Sequence, residues 1–204
     1  MRPINPLLLA LTLLLTGCDT VGLSRLGTLT ITSRADERVQ LTASIDRAIY
    51  ALDGKQALTA ILLSGSAEAP QRAIVLRVFW SPRAGATPVS RSATNTSIEV
   101  MVFADRVDQD VREVGLYAGA GYVYLNDKPG DRLVGAEVWE ADLILTDQSL
   151  GFRDRLGRSN LTGRLQLRRD DAGVQTILAS LRAQASGALE YPRLVSATPA
   201  SRSF

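Results

Sequence analysis

Hydrophobic and polar residues alternate along much of the chain after residue 27. Leu29 and Ile31 alternate with threonines, the segment 39–45 carries an apolar residue at every second position, and Leu161, Leu165 and Leu167 alternate with polar residues. A period of two turns one side of a strand to a core and the other to water, as in antiparallel sheets. The pattern therefore predicts an all-β domain.

Two further segments, 57–63 and 73–80, are apolar on both faces and predict central strands. Additional strands are predicted at 98–104, 113–117, 122–125 and 133–146. About nine strands at this spacing are typical of a sandwich or a small barrel. We expect an antiparallel β-sandwich, because the strands differ in length and several connections are long.

One short C-terminal helix is predicted after the strands. Val174, Ile177, Leu178 and Leu181 follow helical spacing behind Asp170 or Asp171 as the N-cap. We expect the helix to stop near Gly187, which makes 28–185 one domain and 186–204 a flexible tail.

A β-bulge is predicted within the long strand 133–146. Its apolar positions change face between Val138 and Leu143, and one extra residue near 139–141 would explain the change.

Composition excludes several kinds of chemistry. The 204 residues include no histidine and one cysteine, Cys18, so no internal disulfide, Cys/His metal site or Ser-His-Asp triad can form. The net charge is +2 and the charges are mixed in sign along the chain, which argues against nucleic-acid binding.

The N-terminus has the layout of a secretory signal peptide. Arg2 precedes the nine-residue segment 7–15, which contains seven leucines and is too short to span a bilayer, for which about 20 residues are needed. The sequence Leu15-Thr16-Gly17-Cys18 that follows resembles the lipobox of bacterial lipoproteins.

This resemblance implies a signal peptide over 1–17, cleavage between Gly17 and Cys18, and acylation of the Cys18 thiol. Residues 18–27 would then tether an extracytoplasmic domain to a membrane, which two or three acyl chains hold durably. Asp19, the second residue of that product, resembles the inner-membrane retention signal of enteric-type bacteria, although this rule varies between lineages and the target membrane stays open.

Tyr117, Tyr122, Tyr124 and Trp139 are candidates for an aromatic ligand-binding patch, with core or edge packing as the alternative. The glycine-rich stretch 115–121 among them lacks dinucleotide-binding spacing and predicts a tight hairpin or a bulge.

Other candidate groups are carboxylates and lysines. Glu137, Glu140 and Asp142 are candidates for glycoside hydrolysis, with exposed acids on a bent strand as the alternative. The acidic segment 105–110 is either a solvated loop or a weak oxygen-ligand cation site. Lys55 and Lys128 lie in predicted turns, where an exposed lysine keeps its charge and is a poor base.

We assign no catalytic residue, metal or cofactor, and therefore expect a non-enzymatic, lipid-anchored envelope protein. Its expected role is to bind a partner protein or to serve as an assembly component. The alternatives are a small-ligand or carbohydrate binder that uses the aromatic patch, and a carboxylate-dependent envelope hydrolase.

The lipobox leads to a direct prediction. Cys18→Ser removes the thiol that would be acylated, so the protein should accumulate as unprocessed precursor without lipid. Metabolic labelling with a palmitate analogue measures this, and unchanged labelling of the variant would contradict the assignment.

Overall fold

The computed structural model describes residues 26–54, 57–81, 94–105 and 112–196, with side chains up to residue 190. The signal peptide, Gly17, Cys18, Asp19 and nearly all of the tether lie outside the described residues, as do Lys55 and residues 106–110 of the acidic segment. The elements are, in chain order, β1 (Gly27–Ser33), β2 (Gln40–Ser44), β3 (Arg47–Leu52), β4 (Leu58–Gly65), β5 (Pro70–Val78), β6 (Thr96–Asp105), β7 (Arg112–Leu125), β8 (Leu133–Gln148), β9 (Ser159–Arg169) and α1 (Asp171–Ser196).

The nine strands form one hydrogen-bonded sheet in the order β2-β1-β9-β3-β4-β5-β6-β7-β8. Neighbouring strands are antiparallel except β3 and β9, which are parallel over two residue pairs. β9 also pairs with β8, so the sheet closes on itself. The predicted all-β class with a C-terminal helix is confirmed. The strands expected to form the two layers of a sandwich belong to one closed, mixed sheet, because the long strands β8 and β9 pair with each other.

The main hydrophobic core fills the inside of this closed sheet. Tyr50 and Tyr117 are among its largest fully buried side chains. The Tyr50 hydroxyl donates to the carbonyl of Asp131 and accepts from the N–H of Gly130 at 3.2 Å. The core is thereby tied to the turn between β7 and β8.

A second core lies between the outer face of the sheet and α1. The predicted apolar face of the helix, which includes Val174 and Leu181, is buried against strand residues such as Ile61 and Met101. The N-terminus is capped as predicted, since the N–H of Gly173 donates to Asp170 Oδ1 at 2.9 Å.

The helix does not end at Gly187, and this prediction is wrong. α1 continues to Ser196, so the part of the predicted tail up to that residue is helical. Glycine costs about 1 kcal/mol in a helix relative to alanine. Ala188 and Leu189 pack against the second core just beyond Gly187, and this apolar burial favours the longer helix.

Of the hairpin or bulge predicted at 115–121, the hairpin is wrong, because β7 runs through the stretch as one strand. The glycines are explained by close packing of β7 on β8. A Cβ at Gly119 would collide with the carbonyl of Asp142, and one at Gly121 would collide with Ala141. A register shift does lie within the stretch, between Leu116 and Tyr117 in the pairing with β8, and it bears out the alternative prediction of a bulge.

β3 was not predicted as a separate strand. Its residues Ala48, Ile49, Tyr50 and Ala51 are all buried, and they divide between the two cores. A strand buried on both faces shows no polar alternation, which is the signal that the sequence pattern depends on.

Within the described part of the chain, no helix has the length and apolar character needed to cross a membrane.

Candidate functional site

Four aromatic side chains form a continuous row on the structure: Trp80, Tyr122, Tyr124 and Trp139. Their ring centroids are separated in turn by 5.9, 4.8 and 5.6 Å. Three of the four predicted patch residues therefore come together, and Trp80 joins them. We call these four residues the aromatic row.

The alternation of β7 places two members of the row on the outer face of the sheet. Val123 points into the main core, so its neighbours Tyr122 and Tyr124 point outward. Tyr122 is buried within the row, whereas Tyr124 is half-buried.

Trp139 reaches the row because β8 has the predicted bulge. Val138 pairs with Val123 and Glu140 pairs with Tyr122, which leaves Trp139 as an extra residue between them. The same interruption occurs on the β9 side, where pairing shifts between Val138 and Ala141. The bulge near 139–141 is therefore confirmed, and it turns Trp139 outward beside Tyr124.

Trp80 is held by the buried side chain of Asn95. The Asn95 amide donates to the carbonyls of Trp80 at 3.1 Å and Val123 at 2.9 Å. Its oxygen accepts from the N–H of Val123 at 2.9 Å and from the hydroxyl of Thr96 at 2.8 Å. Both ends of the amide are thus satisfied, and the end of β5 is joined to β7. Sequence reasoning missed Asn95 and Trp80, because the local sequence pattern shows neither the hydrogen bonds of Asn95 nor the packing of Trp80 on Tyr122.

The row exposes a substantial apolar surface. Trp139 is 59% exposed and Trp80 is 40% exposed, and the adjacent Phe79 is 54% exposed. Burial raises the pKa of the Tyr122 hydroxyl, and the nearby Tyr124 raises it further. That hydroxyl has no hydrogen-bond partner among the described residues.

Ion pairs border the row on one side. Arg164 lies 3.2 Å from Glu137, and Arg34 lies 3.6 Å from Glu140 and also contacts Asp142. Glu140 and Asp142 do share a face, as predicted, and both contact Arg34. An apolar centre with a charged border is the layout of many protein interfaces.

Tyr117 does not belong to the row. Its ring lies inside the closed sheet against Phe152, with centroids 6.5 Å apart, and its hydroxyl donates to Asp154 Oδ1 at 2.6 Å. Burial is the larger cause that raises the pKa of Tyr117, and the hydrogen bond to Asp154 raises it further. Burial alone would raise the pKa of Asp154, but hydrogen bonds from Tyr117, Gly157 and Leu156 lower it below its usual value.

Two clefts, of about 600 and 560 Å³, are lined by residues outside the row, and the second shares Arg34 and Asp142 with its charged border. The first contains the buried Glu113, which accepts from the Ser149 hydroxyl and from the N–H of Gly151 at 3.1 Å. Ser149 in turn accepts from the N–H of Val114 at 2.9 Å. These bonds join the start of β7 to the end of β8 and give both side chains a structural role.

The second cleft is lined by Arg34, Asp142 and Arg158 together with small residues of β7 such as Ala118 and Ala120. The part of the chain that the structure describes holds no cluster of three or more potential metal-ligating side chains. Of the acidic segment, Asp105 is described, and it pairs with Arg112 at 3.2 Å. Lys128 lies exposed in the turn between β7 and β8.

Comparison of the chain with protein-family models, with curated proteins and with solved structures finds no significant match.

Asn95 provides a test of how Trp80 is positioned. Asn95→Ala leaves the Val123 N–H and two carbonyls without their partner, so we expect a loss of about 2–4 kcal/mol in the free energy of unfolding. In a Trp139→Phe background, the emission of Trp80 should also shift to longer wavelength. Urea unfolding and fluorescence measure both effects. The exposed Asn126→Ala is the control. Equal losses of stability and equal Trp80 emission in the two variants would contradict this role of Asn95.

The Tyr117–Asp154 pair leads to a prediction about pH. Folding lowers the pKa of Asp154, so its ionised form stabilises the folded protein. This contribution is fully present above the pKa of about 3.9 that the group has in the unfolded chain, and it is lost as the pH falls through the pKa of the folded protein. Asp154→Asn should therefore be less stable than the parent chain at pH 7, with a smaller difference at pH 3. Urea unfolding at both pH values measures this, with the exposed Asp147→Asn as control. A difference that does not shrink at pH 3 would refute the assignment.

Proposed function

We propose that the protein is a lipid-anchored envelope protein that binds a partner protein through the aromatic row. The observation that supports this is the row itself, a rigid apolar surface with two partly exposed tryptophans. Tryptophan, tyrosine and arginine are enriched among the residues that dominate protein-binding energy. Attachment to the membrane rests on the lipobox resemblance at Cys18.

The arrangement of the rings favours a protein over a carbohydrate as the partner. Successive rings are inclined by 80°, 60° and 63°, so the two outer pairs pack edge to face and the middle pair is tilted. A polysaccharide that stacks on several rings needs faces turned in one direction. The ridged surface of the row is better suited to the side chains of a protein.

The rigidity of the row further supports binding. Asn95 holds the backbone of Trp80, the bulge sets the backbone at Trp139, and Tyr122 is buried. Backbone that is already ordered loses little conformational entropy on association, and this raises affinity for a given contact area.

Site-specific crosslinking in cells tests the proposal. Full-length protein carrying p-benzoylphenylalanine in place of Trp139 should form a discrete light-dependent adduct with another protein. The same group in place of Leu150, which is 84% exposed and lies by the first cleft, is the matched control. Adding Trp80→Ala should weaken binding by about 2 kcal/mol, roughly 30-fold in Kd, as is typical of a dominant contact. No adduct from position 139, or equal adducts from both positions, would overturn the proposal.

A further inference from the structure

The N-terminal segment joins the domain close to the aromatic row. β1 is antiparallel to β9, Gly27 pairs with Leu165, and the N–H of Gln166 donates to the carbonyl of Leu26 at 2.8 Å. On its other edge, β9 pairs Leu165 with Ala136 of β8. Only β9 therefore separates the start of β1 from the strand that carries Trp139.

This topology sets a short distance between the two features. Neighbouring strands are about 4.8 Å apart and residues advance by about 3.3 Å along a strand, so the backbones at Leu26 and Trp139 lie about 16 Å apart. Leu26 also pairs near the end of β9, on the side where β7 ends and β8 begins. The N-terminal segment thus enters the domain on the side of the row.

Covalent geometry then limits how far the row can lie from the lipid. Eight residues lead from Cys18 to Leu26, and a fully extended chain of that length spans at most about 29 Å. An acylated Cys18 would therefore keep the row within about 45 Å of the membrane surface.

The border of the row identifies the chemistry of its partner. Three carboxylates, Glu137, Glu140 and Asp142, share two arginines, Arg34 and Arg164. Anionic lipid surfaces attract Lys and Arg clusters, whereas the arginines on this side of the row are mixed with carboxylates, and Arg158 lines the cleft beside Arg34 and Asp142. The surface is therefore suited to an apolar protein patch with a charged border of mixed sign rather than to the lipid itself.

We infer that the partner of the aromatic row is a protein held in the same membrane as the lipid anchor. This inference rests on the proposed function above. Two proteins confined to one membrane surface meet at a high effective concentration, which raises apparent affinity by about 10²–10⁴ without any new contact. A freely diffusing partner gains nothing of the kind from the anchor.

The experiment compares an anchored and a released form of the protein, each carrying p-benzoylphenylalanine in place of Trp139. In the released form, a signal peptide cut by the general signal peptidase replaces residues 1–17, and Cys18→Ser removes the acylation site. Residues 19–138 and 140–204 are identical in both forms. We expect the adduct with the same protein to fall at least tenfold in the released form at equal abundance, while far-UV circular dichroism of the purified forms stays unchanged.

The possible results separate this inference from the proposed function. Equal adduct yields from the two forms would overturn a membrane-held partner and leave protein binding by the row intact. An adduct with lipid would show that the membrane itself covers the row and would overturn both. No adduct from either form would overturn protein binding by the row, and the inference with it.

Discussion

β9 is hydrogen-bonded along both edges, to β8 on one side and to β1 and then β3 on the other. This double pairing closes the sheet and encloses the main core. It also leaves one outer face for α1, whose apolar side chains cover β3, β4 and β7. Because β8 must pair with both β7 and β9 while the sheet curves, an extra residue at its bend is accommodated as the bulge at Trp139.

The aromatic row is a consequence of this closure. The bulge brings Trp139 beside Tyr124, and the buried amide of Asn95 brings the end of β5 beside Tyr122. A fully hydrogen-bonded buried amide defines one arrangement of its surroundings. The surface is therefore preorganised by the sheet, and the same topology sets it one strand away from the start of β1.

Comparison of the predicted and observed site shows where local patterns are informative. The face change within β8 predicted the bulge, because an inserted residue must invert the alternation that follows it. The same kind of pattern failed for Tyr117, which points to the opposite face of β7 from Tyr122, into the main core, where its hydroxyl donates to Asp154 of the β8–β9 connection. Spacing along the chain does not show this, because a hairpin or a bulge at the glycines between the two tyrosines would change which face each one takes.

The sequence alone determined the all-β class, the apolar face of α1 and the lipobox resemblance, since these depend on periodicity and on short motifs. Only the tertiary structure decided that the sheet closes, that β3 is a strand buried on both faces, and that Trp80 and Asn95 belong to the site. Each of these depends on pairing between residues distant in the chain, such as Asn95 with Val123 and Arg168 with Leu133. Such pairings leave no periodic trace in the sequence, because either partner alone is compatible with many neighbours.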